Sequence, residues 1–556
     1  MGAVEQALAP RGVPAAAHAS TTRRSRASVT RVAGPTVGAL ALGIAWLIAH
    51  PATADLAAQQ YRTGLWRREG FAIWDAQWYG GHHEPGYSLL FGPLAALLGP
   101  RALAVVTGAV AVAALTAIAH REARRPSLTA WLFAGGVMTN VLIGRVPFVL
   151  GIALGALAWL CADARRGRPF MLVLAGLLAL ATVWASPPAG LFLALAGAAR
   201  RVTRPHPPRR RDGAAAIVLA VPPVIGGLAV AVAFPEGGRD HFAASAFWPT
   251  FALGLAALAL LDPRRRALRI GTLAALALLV AAFVLPTSVG QTTLRPLVIL
   301  GPALLALGVR PGRRAATAAI LVGAGLLYLQ WLPAVRAIAE AQGDPSTRSS
   351  YYSEVLRIVD RERAPGQRLE IPLTRNHWEA AVVAPRIPLA RGWHRQLDEE
   401  ANPLFYDRRP LTAQRYRAWL ADRAVRWVAL PNVPLDFSAR REVAVLRAGL
   451  TGLRLVHQSP RWKVWEVDPI PPAASGPARL TGAGTDSFAL AVQAPGSIRV
   501  RATYTPYWTV TRGEGCVRRG TDGLTEVVAR RAGTIRVEAR LSLRGALGRG
   551  MRCDAG

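Results

Sequence analysis

Apolar blocks alternate with short arginine clusters over about the first 335 residues of the chain. The blocks are about 12 to 22 residues long and consist mainly of Ala, Leu, Val and Gly. Uninterrupted apolar stretches of this kind can satisfy their backbone polar groups in lipid only as helices. The pattern therefore predicts a polytopic α-helical membrane domain over residues 34–335, followed by a polar C-terminal part.

We predict eleven membrane-spanning segments from the positions of these blocks and of the arginine clusters between them. They lie at residues 34–52, 102–119, 127–143, 146–162, 170–185, 187–199, 214–234, 247–261, 270–286, 296–309 and 315–335. Several are shorter than the ~20 residues that a straight crossing requires. The long loop after the first segment, residues 53–101, is predicted to lie on the outer side and to contain a helix along the membrane.

Arginine is distributed very unevenly between the loops. Alternate loops contain 24 arginines in clusters, and the intervening loops contain only seven. The positive-inside rule then predicts a cytoplasmic N-terminus, and eleven crossings place the C-terminal domains outside the cell membrane. A signal peptide cleaved after Ala52 or Ala54 is the alternative interpretation of the first block, and it leaves the later loops on the same sides.

The composition agrees with a membrane protein: 52% of residues are hydrophobic and only 18% are charged, too apolar for an ordinary soluble enzyme of 556 residues. The formal net charge is +33. In a soluble chain this charge would suggest nucleic acid, but the positive-inside pattern accounts for it, and we predict no nucleic-acid partner. Residues 1–33 are rich in Ala, Ser and Arg and are predicted to be a disordered cytoplasmic tail.

Two further domains are predicted after the membrane part. Residues 336–469 mix helical and strand patterns and indicate an α/β domain, 470–477 form a linker rich in Pro and Ala, and 478–556 show the short alternating strands of a β-sandwich. Cys516 and Cys553 are the only cysteines in this part, so an exported location predicts a disulfide between them.

The first outer loop carries the densest set of polar and aromatic residues, FAIWDAQWYGGHHEPGYSLL. Its Asp75 is framed by Trp74, Trp78 and Tyr79, which suits a general base beside a sugar, because ring faces stack on sugar CH groups while a carboxylate accepts a hydroxyl proton. The alternative is an interfacial aromatic belt with solvated charges.

His82, His83 and Glu84 in the same loop are candidate ligands of a divalent metal. Adjacent histidines point in different directions unless the loop bends, which weighs against a shared metal site. The sequence predicts no other cofactor: it contains neither a CxxC pair nor a Gly-rich nucleotide fingerprint or P-loop.

The remaining outer loops contribute charged residues that suit an anionic head group. Arg145 lies in GRVPFVLG, between two apolar spans. The segment FPEGGRDHF contains Asp240 and His241, and the segment PTSVGQTTLRP contains Arg295. A charge at membrane depth is costly and is by default a functional hypothesis, and arginine grips phosphate with paired donors. The alternative for Arg145 is a loop charge that reaches the interface.

The segments WDAQWYGGHHEPGYSLL, GRVPFVLG, WASPPAGLFL and FPEGG, together with the architecture, resemble the GT-C glycosyltransferases, and more narrowly a poorly characterised group of actinobacterial multi-span proteins filed beside them. The resemblance implies an inverting transferase that uses a polyprenyl-phosphate sugar, with Asp75 matching the acidic residue of the first loop. The family often has two acidic residues close together there. In this chain Ala and Gln follow Asp75, so Glu84 or Asp240 supplies the second, or activity has been lost.

Two functions follow as hypotheses. The first is transfer of a sugar from a polyprenyl-phosphate donor to a glycan, lipid or protein acceptor of the cell envelope on the outer face of the membrane. The second is a non-enzymatic role, as a transporter of lipid-linked glycans or as an envelope scaffold whose exported domain binds carbohydrate. Transporters usually show internal repeats and polar residues near midspan, and neither is clear in this sequence.

Overall fold

The computed structural model describes residues 16–164, 169–203, 210–551 and 553, with side chains described from residue 33 and, in the helix that begins at 210, from residue 213. The predicted N-terminal tail, residues 1–33, lies almost wholly outside the described side chains. The helices of the membrane part are α1 (Ala16–Ala49), α2 (Ala54–Glu69), α3 (Phe91–Leu98), α4 (Pro100–Glu122), α5 (Pro126–Ile143), α6 (Val146–Ala162), α7 (Pro169–Ala185), α8 (Pro187–Val202), α9 (Arg210–Ala233), α10 (Ala244–Leu260), α11 (Arg266–Val284), α12 (Gly301–Gly308) and α13 (Arg313–Ala341).

A helical membrane domain with a β-rich C-terminal part is confirmed in outline. Each of the eleven predicted segments coincides with a helix, although the segment at 296–309 is a π-helical stretch (Pro296–Leu300) followed by α12, and a 3₁₀ turn (Gly290–Leu294) precedes it. Among the described residues, six helices are long and apolar enough to cross a membrane, or seven if the bent pair α1 and α2 is one span. Shorter helices such as α6, α7 and α10 fall below that length, so the count of eleven crossings stays a prediction.

Contacts in the described part of the chain divide its loops between two faces of the membrane domain. On one, which we call the arginine face, Arg124 pairs with Asp262 at 3.0 Å and Arg265 lies 3.8 Å from Glu122, joining loops that are distant in sequence. On the other, the C-terminal face, the loops contact the C-terminal domains. The contacts of these described loops agree with the alternation that the arginine pattern predicts, and the side of the membrane on which each face lies stays a prediction.

The first loop contains more helix than the sequence pattern indicates. α2 follows α1 after a bend of 80° and was not predicted, because its Gln and Arg residues interrupt the apolar periodicity. Its buried side chains nevertheless include Leu56, Tyr61, Arg62 and Leu65. α3 lies where a helix along the membrane was predicted, and Leu97 at its end is exposed. Together they frame the segment with the candidate chemistry.

The α/β domain contains one four-stranded sheet of order β1-β2-β4-β3, in which β1 and β2 are parallel and the other pairs are antiparallel. Its helices pack Tyr352, Val355 and Leu420 into buried cores. The elements are α14 (Ser353–Asp360), β1 (Arg368–Glu370), α15 (Glu379–Val382), α16 (Arg395–Ala401), α17 (Ala413–Asp422), β2 (Val425–Pro431), α18 (Arg440–Arg447), β3 (Leu453–Gln458) and β4 (Trp462–Val467).

The last domain is built from two four-stranded sheets, β10-β11-β8-β5 and β6-β7-β12-β9, whose facing side chains include Leu490, Ile498 and Val537. Cys516 of β10 forms a disulfide with Cys553. The elements are β5 (Ala474–Ser475), β6 (Ala478–Ala483), β7 (Ser487–Val492), β8 (Gly496–Thr503), β9 (Trp508–Arg512), β10 (Gly515–Arg519), β11 (Leu524–Ala529), β12 (Gly533–Ala539) and α19 (Leu543–Ala546).

Both C-terminal domains dock on the C-terminal face. Trp378 of the α/β domain donates its indole N–H to the carbonyl of Ala52 at 2.8 Å, where α1 meets α2. Tyr507 of the β-sandwich donates to the carbonyl of Ala233 at the end of α9. The segment between α2 and α3 is therefore enclosed by membrane helices on one side and by two folded domains on the other.

Candidate active site

A tight turn folds the first loop back on itself and brings Asp75 beside His82. The two residues exchange backbone hydrogen bonds of 2.9 and 3.1 Å, as in an antiparallel pair. Tyr79, Gly80 and Gly81 form the turn with φ of 58°, 84° and 131°. A β-carbon at Gly81 would lie 2.2 Å from the Trp74 ring, so glycine is needed both for its backbone and for its size. The GG pair thus sets the spacing of the candidate residues.

Asp75 is fully buried, and both of its carboxylate oxygens are hydrogen-bonded. The hydroxyl of Tyr61 in α2 donates to Oδ2 at 2.8 Å, and the backbone N–H of Gln77 donates to Oδ1 at 2.9 Å. Burial raises the pKa of the Asp75 carboxyl above its ordinary value, and the neighbouring charge of Glu84 adds to the rise. Asp75 is thus a stronger proton acceptor than a solvated aspartate.

Glu84 lies at the other end of the turn and is paired with a cation. Arg62 Nε is 2.7 Å from Glu84 Oε1, and His82 Nε2 is 3.4 Å from Oε2. Although burial opposes it, the charge of Arg62 and the hydrogen bond of His82 hold the pKa of Glu84 below its ordinary value. Glu84 also lines a small cavity together with Arg62. The two carboxylates therefore differ in role: Glu84 stays ionised and paired, and Asp75 is poised to take a proton.

A histidine of the α/β domain completes the cluster. His394 Nε2 contacts Arg62 Nη2, and the His394 ring lies 6.0 Å from that of His82 and 5.1 Å from that of Tyr87. Burial, together with the charges of Arg62 and His82, lowers the pKa of His394 well below its ordinary value. It is held neutral and accepts from Arg62, so a domain more than 300 residues away in sequence contributes to this site.

His82 and His83 point in opposite directions, as adjacent residues of an extended segment do. His83 Nδ1 lies 2.8 Å from Glu236 Oε1 and its Nε2 lies 2.9 Å from Thr505 Oγ1, in the contact with the β-sandwich. The structure does not bring the two histidines together as ligands of one metal.

A different set of three does converge. Asp75, His82 and Glu84 each offer one ligand atom, and these atoms lie within 4.8 Å of one another. Two carboxylates and one imidazole suit a divalent metal. The adjacent guanidinium of Arg62 already neutralises part of the carboxylate charge. The donor set therefore fits a metal in chemistry and spacing.

The aromatic residues that frame Asp75 are buried and form the walls of the site. Trp78 stacks on Tyr61 with ring centroids 4.3 Å apart and lies parallel to His82 at 5.5 Å. Trp74 packs edge-on against Trp508 of the β-sandwich, and the Tyr79 hydroxyl donates to the carbonyl of His394 at 2.9 Å. These aromatic residues position the loop between the domains. A sugar platform needs an exposed ring face, and Trp74, Trp78 and Tyr79 have none because they are buried.

Two arginines lie together at the end of α6 that belongs to the C-terminal face. Arg145 precedes the helix and its Nε is 2.9 Å from Asp55 Oδ2. Arg295 lies over the Phe148 ring at 4.8 Å, close enough for its charge to interact with those of Arg145 and Asp55. Among the described residues, no carboxylate lies within ion-pair distance of Arg295. The pair therefore carries an excess positive charge that suits a phosphate.

Asp240, from the loop between α9 and α10, lies near this arginine pair. The Asp240 side chain is half-buried, and its charge interacts with that of Arg295. Burial raises the pKa of Asp240 above its ordinary value, despite hydrogen bonds from the backbone of Gln291 and Thr292. His241 is exposed. Among the described residues, the structure brings Glu84 and not Asp240 within 4.8 Å of Asp75.

Sequence patterns missed Arg62 and His394 as members of the site. Arg62 carries a weak signal, because it is one of only seven arginines in the loops of the C-terminal face. His394 lies in GWHRQLDEE, where nothing local distinguishes it from a surface histidine. Its role depends on a contact between separate domains, which periodicity does not record.

No family model matches this sequence, and no curated protein sequence matches it. Solved structures do resemble it. One is the arabinofuranosyltransferase AftD from Mycobacteria, with a TM-score of 0.48 and 14% identity over 92% of this chain and 60% of that one. This chain therefore spans less than two thirds of the length of AftD.

Two other solved structures resemble the chain at similar levels. The oligosaccharyltransferase of Archaeoglobus fulgidus, tethered to an acceptor peptide, gives a TM-score of 0.43 and 12% identity over 72% of this chain and 69% of that one. ArnT from Cupriavidus metallidurans, bound to undecaprenyl phosphate, gives a TM-score of 0.43 and 12% identity over 79% of this chain and 99% of that one. All three neighbours share 14% identity or less with this chain, at TM-scores below 0.5.

Proposed function

We propose that this protein is a membrane glycosyltransferase that moves a sugar from a polyprenyl-phosphate donor to a hydroxyl of a cell-envelope acceptor. One observation carries the proposal: the acidic cluster of Asp75, His82 and Glu84 and the pair Arg145 and Arg295 both lie at the C-terminal face and are linked through Arg62 and Tyr87. Tyr87 joins the two groups, because the Arg62 guanidinium lies 3.7 Å from its ring centre and its hydroxyl interacts electrostatically with Arg295.

The acidic cluster would activate the acceptor. An acceptor hydroxyl reaches Asp75 by replacing the Tyr61 hydroxyl as its hydrogen-bond donor, and Asp75 takes the proton as the oxygen attacks the anomeric carbon. The bond from that carbon to the phosphate oxygen breaks, and the polyprenyl phosphate leaves with the electron pair. A single displacement of this kind inverts the configuration at the anomeric carbon.

The arginine pair would hold the donor phosphate as negative charge builds on the leaving oxygen. Two guanidinium groups supply paired N–H donors and fixed positive charge, which stabilise that charge more than they stabilise the ground state. If a divalent ion binds Asp75, His82 and Glu84, it supplies a Lewis acid beside the phosphate.

Replacing Arg295 by Ala is expected to weaken binding of polyprenyl phosphate by about 10- to 100-fold, because a lost charge-assisted hydrogen bond costs about 1.5 to 3 kcal/mol. Arg145→Ala should have a smaller effect, since part of the charge of Arg145 is spent on Asp55. Binding can be measured on the purified protein by native mass spectrometry with added polyprenyl phosphate. Arg239→Ala is the matched control, as Arg239 is exposed in a loop of the same face. Equal affinities for Arg295→Ala and Arg239→Ala would contradict the phosphate site.

We further propose that the C-terminal face is the outer face and that the N-terminus is cytoplasmic. The clustering of 24 arginines in alternate loops of the sequence supports this orientation, since arginine-rich loops stay in the cytoplasm. An alkaline phosphatase reporter fused after Pro469 is expected to be active in whole cells, because the enzyme matures only outside the cytoplasm. A β-galactosidase fusion at the same residue should be inactive, and the reverse pattern would invert the orientation.

A further inference from the structure

The chain leaves the β-sandwich as a short segment, residues 541–551, which we call the C-terminal hook. It contains α19 and exposes large apolar side chains: Leu543 is 86% exposed, Leu547 65% and Leu541 61%. Three leucines so exposed within seven residues are unusual on a water-facing surface, where scattered single leucines are the norm. The hook therefore presents an apolar surface that calls for a partner.

The hook is fixed in place, so this exposure belongs to an ordered structure. The Ser542 hydroxyl accepts from the backbone N–H of Gly545 at 3.0 Å. Gly545 packs so closely on Tyr507 that an added β-carbon would lie 2.5 Å from its ring. The Cys516–Cys553 disulfide ties the chain to β10 two residues beyond the hook.

The apolar surface of the hook continues a surface that faces lipid. Leu543, Ala546 and Leu547 line one side of an open apolar groove, whose other side is formed by Leu228, Ala229, Val232 and Ala233 at the end of α9. The outward side chains of α9 are apolar and exposed over several turns, at Val221, Val224, Ile225, Leu228 and Val232. A long apolar helix with this exposure meets lipid acyl chains. Leu228 and Val232 belong to both surfaces, so the hook leucines lie where the lipid-facing side of α9 ends.

Charges around the hook suit the same partner. Arg540, Arg544 and Arg549 are exposed at and beside the leucines. A short amphipathic segment with leucines on one side and arginines around them is typical of an element that lies in the membrane interface, with apolar side chains among the acyl chains and cations at the phosphates. A soluble protein partner would not require this alignment with a transmembrane helix.

We propose that the C-terminal hook inserts Leu543 and Leu547 into the phospholipid leaflet at the C-terminal face and so anchors the β-sandwich beside α9. The anchor would fix the sandwich over the first loop, where Thr503 donates its backbone N–H to the carbonyl of Gly80 at 2.9 Å. This inference does not depend on the proposed reaction or on which side of the membrane the face occupies.

The test places a fluorophore on the hook of the full-length protein. Leu543→Cys in a Cys161→Ala background is labelled with an NBD maleimide, without reductant so that the disulfide stays closed, and reconstituted in phosphatidylcholine–phosphatidylglycerol vesicles. Arg531→Cys is the matched control: Arg531 is exposed at the opposite end of β12, about 20 Å from the hook along the strand. Leu543 is 86% exposed, so its replacement removes little packing.

We expect NBD at residue 543 to emit at shorter wavelength than at residue 531, and lipids with a nitroxide on the acyl chain to quench it at least threefold more strongly. Equal, weak quenching at the two positions would overturn the proposal. A blue shift at residue 543 without quenching by the nitroxide lipids would also overturn it, because it would show that protein, as in a dimer of this chain, covers the hook.

Discussion

Asp75→Asn is expected to lower sugar transfer by ~10²- to 10⁴-fold, the usual loss when a general base is removed. Asn keeps the size of the side chain: its amide oxygen can accept from the Gln77 backbone N–H, and its amide N–H can donate to the Tyr61 hydroxyl, which reverses that hydrogen bond. The turn should therefore stay folded and donor binding should stay unchanged. Transfer can be followed in membranes with a panel of radiolabelled polyprenyl-phosphate sugars. Glu69→Gln is the matched control, because Glu69 is an exposed acid at the end of α2 in the same loop.

The pH dependence gives a second measure of the same group. A general base acts deprotonated, so transfer should fall as the pH falls through the pKa of Asp75. Burial and Glu84 raise that pKa, and the acid limb should therefore lie above the value of a solvated aspartate, about 3.9. In Asp75→Asn the residual activity should lose this limb. Unaltered turnover in Asp75→Asn would exclude Asp75 and favour Glu84 as the base. For every donor of the panel, transfer no higher in membranes that contain the unmutated protein than in membranes that lack it would favour a non-enzymatic scaffold.

The arrangement of the membrane domain could be predicted well from the sequence because hydropathy and arginine position report directly on contact with lipid and water. Each predicted segment from 102–119 onward coincides with a helix within a few residues, except that the one at 296–309 is broken. α2 was missed because it is buried by protein on most sides, so its Gln59 and Arg62 disturb the apolar pattern without being exposed to water. Hydropathy does not distinguish such a helix from a polar loop.

The candidate site was only partly predictable. Asp75, His82 and Glu84 are close in sequence, and the GG turn that joins them is visible in the sequence. The burial of Trp74 and Trp78 was not predictable, because it results from packing against domains that begin about 260 residues later in the sequence. An aromatic residue in an outer loop has the same local signature whether it faces a sugar or another domain.

The position of His394 depends on a buried ion network in the α/β domain. Arg391, which is 1% exposed, donates to Asp398 Oδ2 at 2.6 Å and lies 3.4 Å from Glu442 Oε2, and the Phe405 ring covers it at 4.1 Å. Asp398 in turn donates its backbone N–H to the carbonyl of His394 at 2.8 Å. His394 thus lies in sequence between Arg391 and Asp398, and the ion pair of these two residues fixes the start of α16.

Arg391→Met is expected to lower the free energy of unfolding of the α/β domain by about 3 to 5 kcal/mol, because it leaves two fully buried carboxylates without their cation. The measurement is pulse proteolysis of the full-length protein in detergent along a urea series.

Arg415→Met is the matched control. Arg415 pairs with Asp407 at 2.7 Å with both side chains about one third exposed, and such pairs contribute less than about 1 kcal/mol. Asp398 donates its backbone N–H to the carbonyl of His394, so Arg391→Met should also weaken the contact between His394 and Arg62. Transfer should then fall even at temperatures where the domain stays folded. Equal free energies of unfolding for Arg391→Met and Arg415→Met would show that water reaches the Arg391 network. They would also show that this network does not position His394.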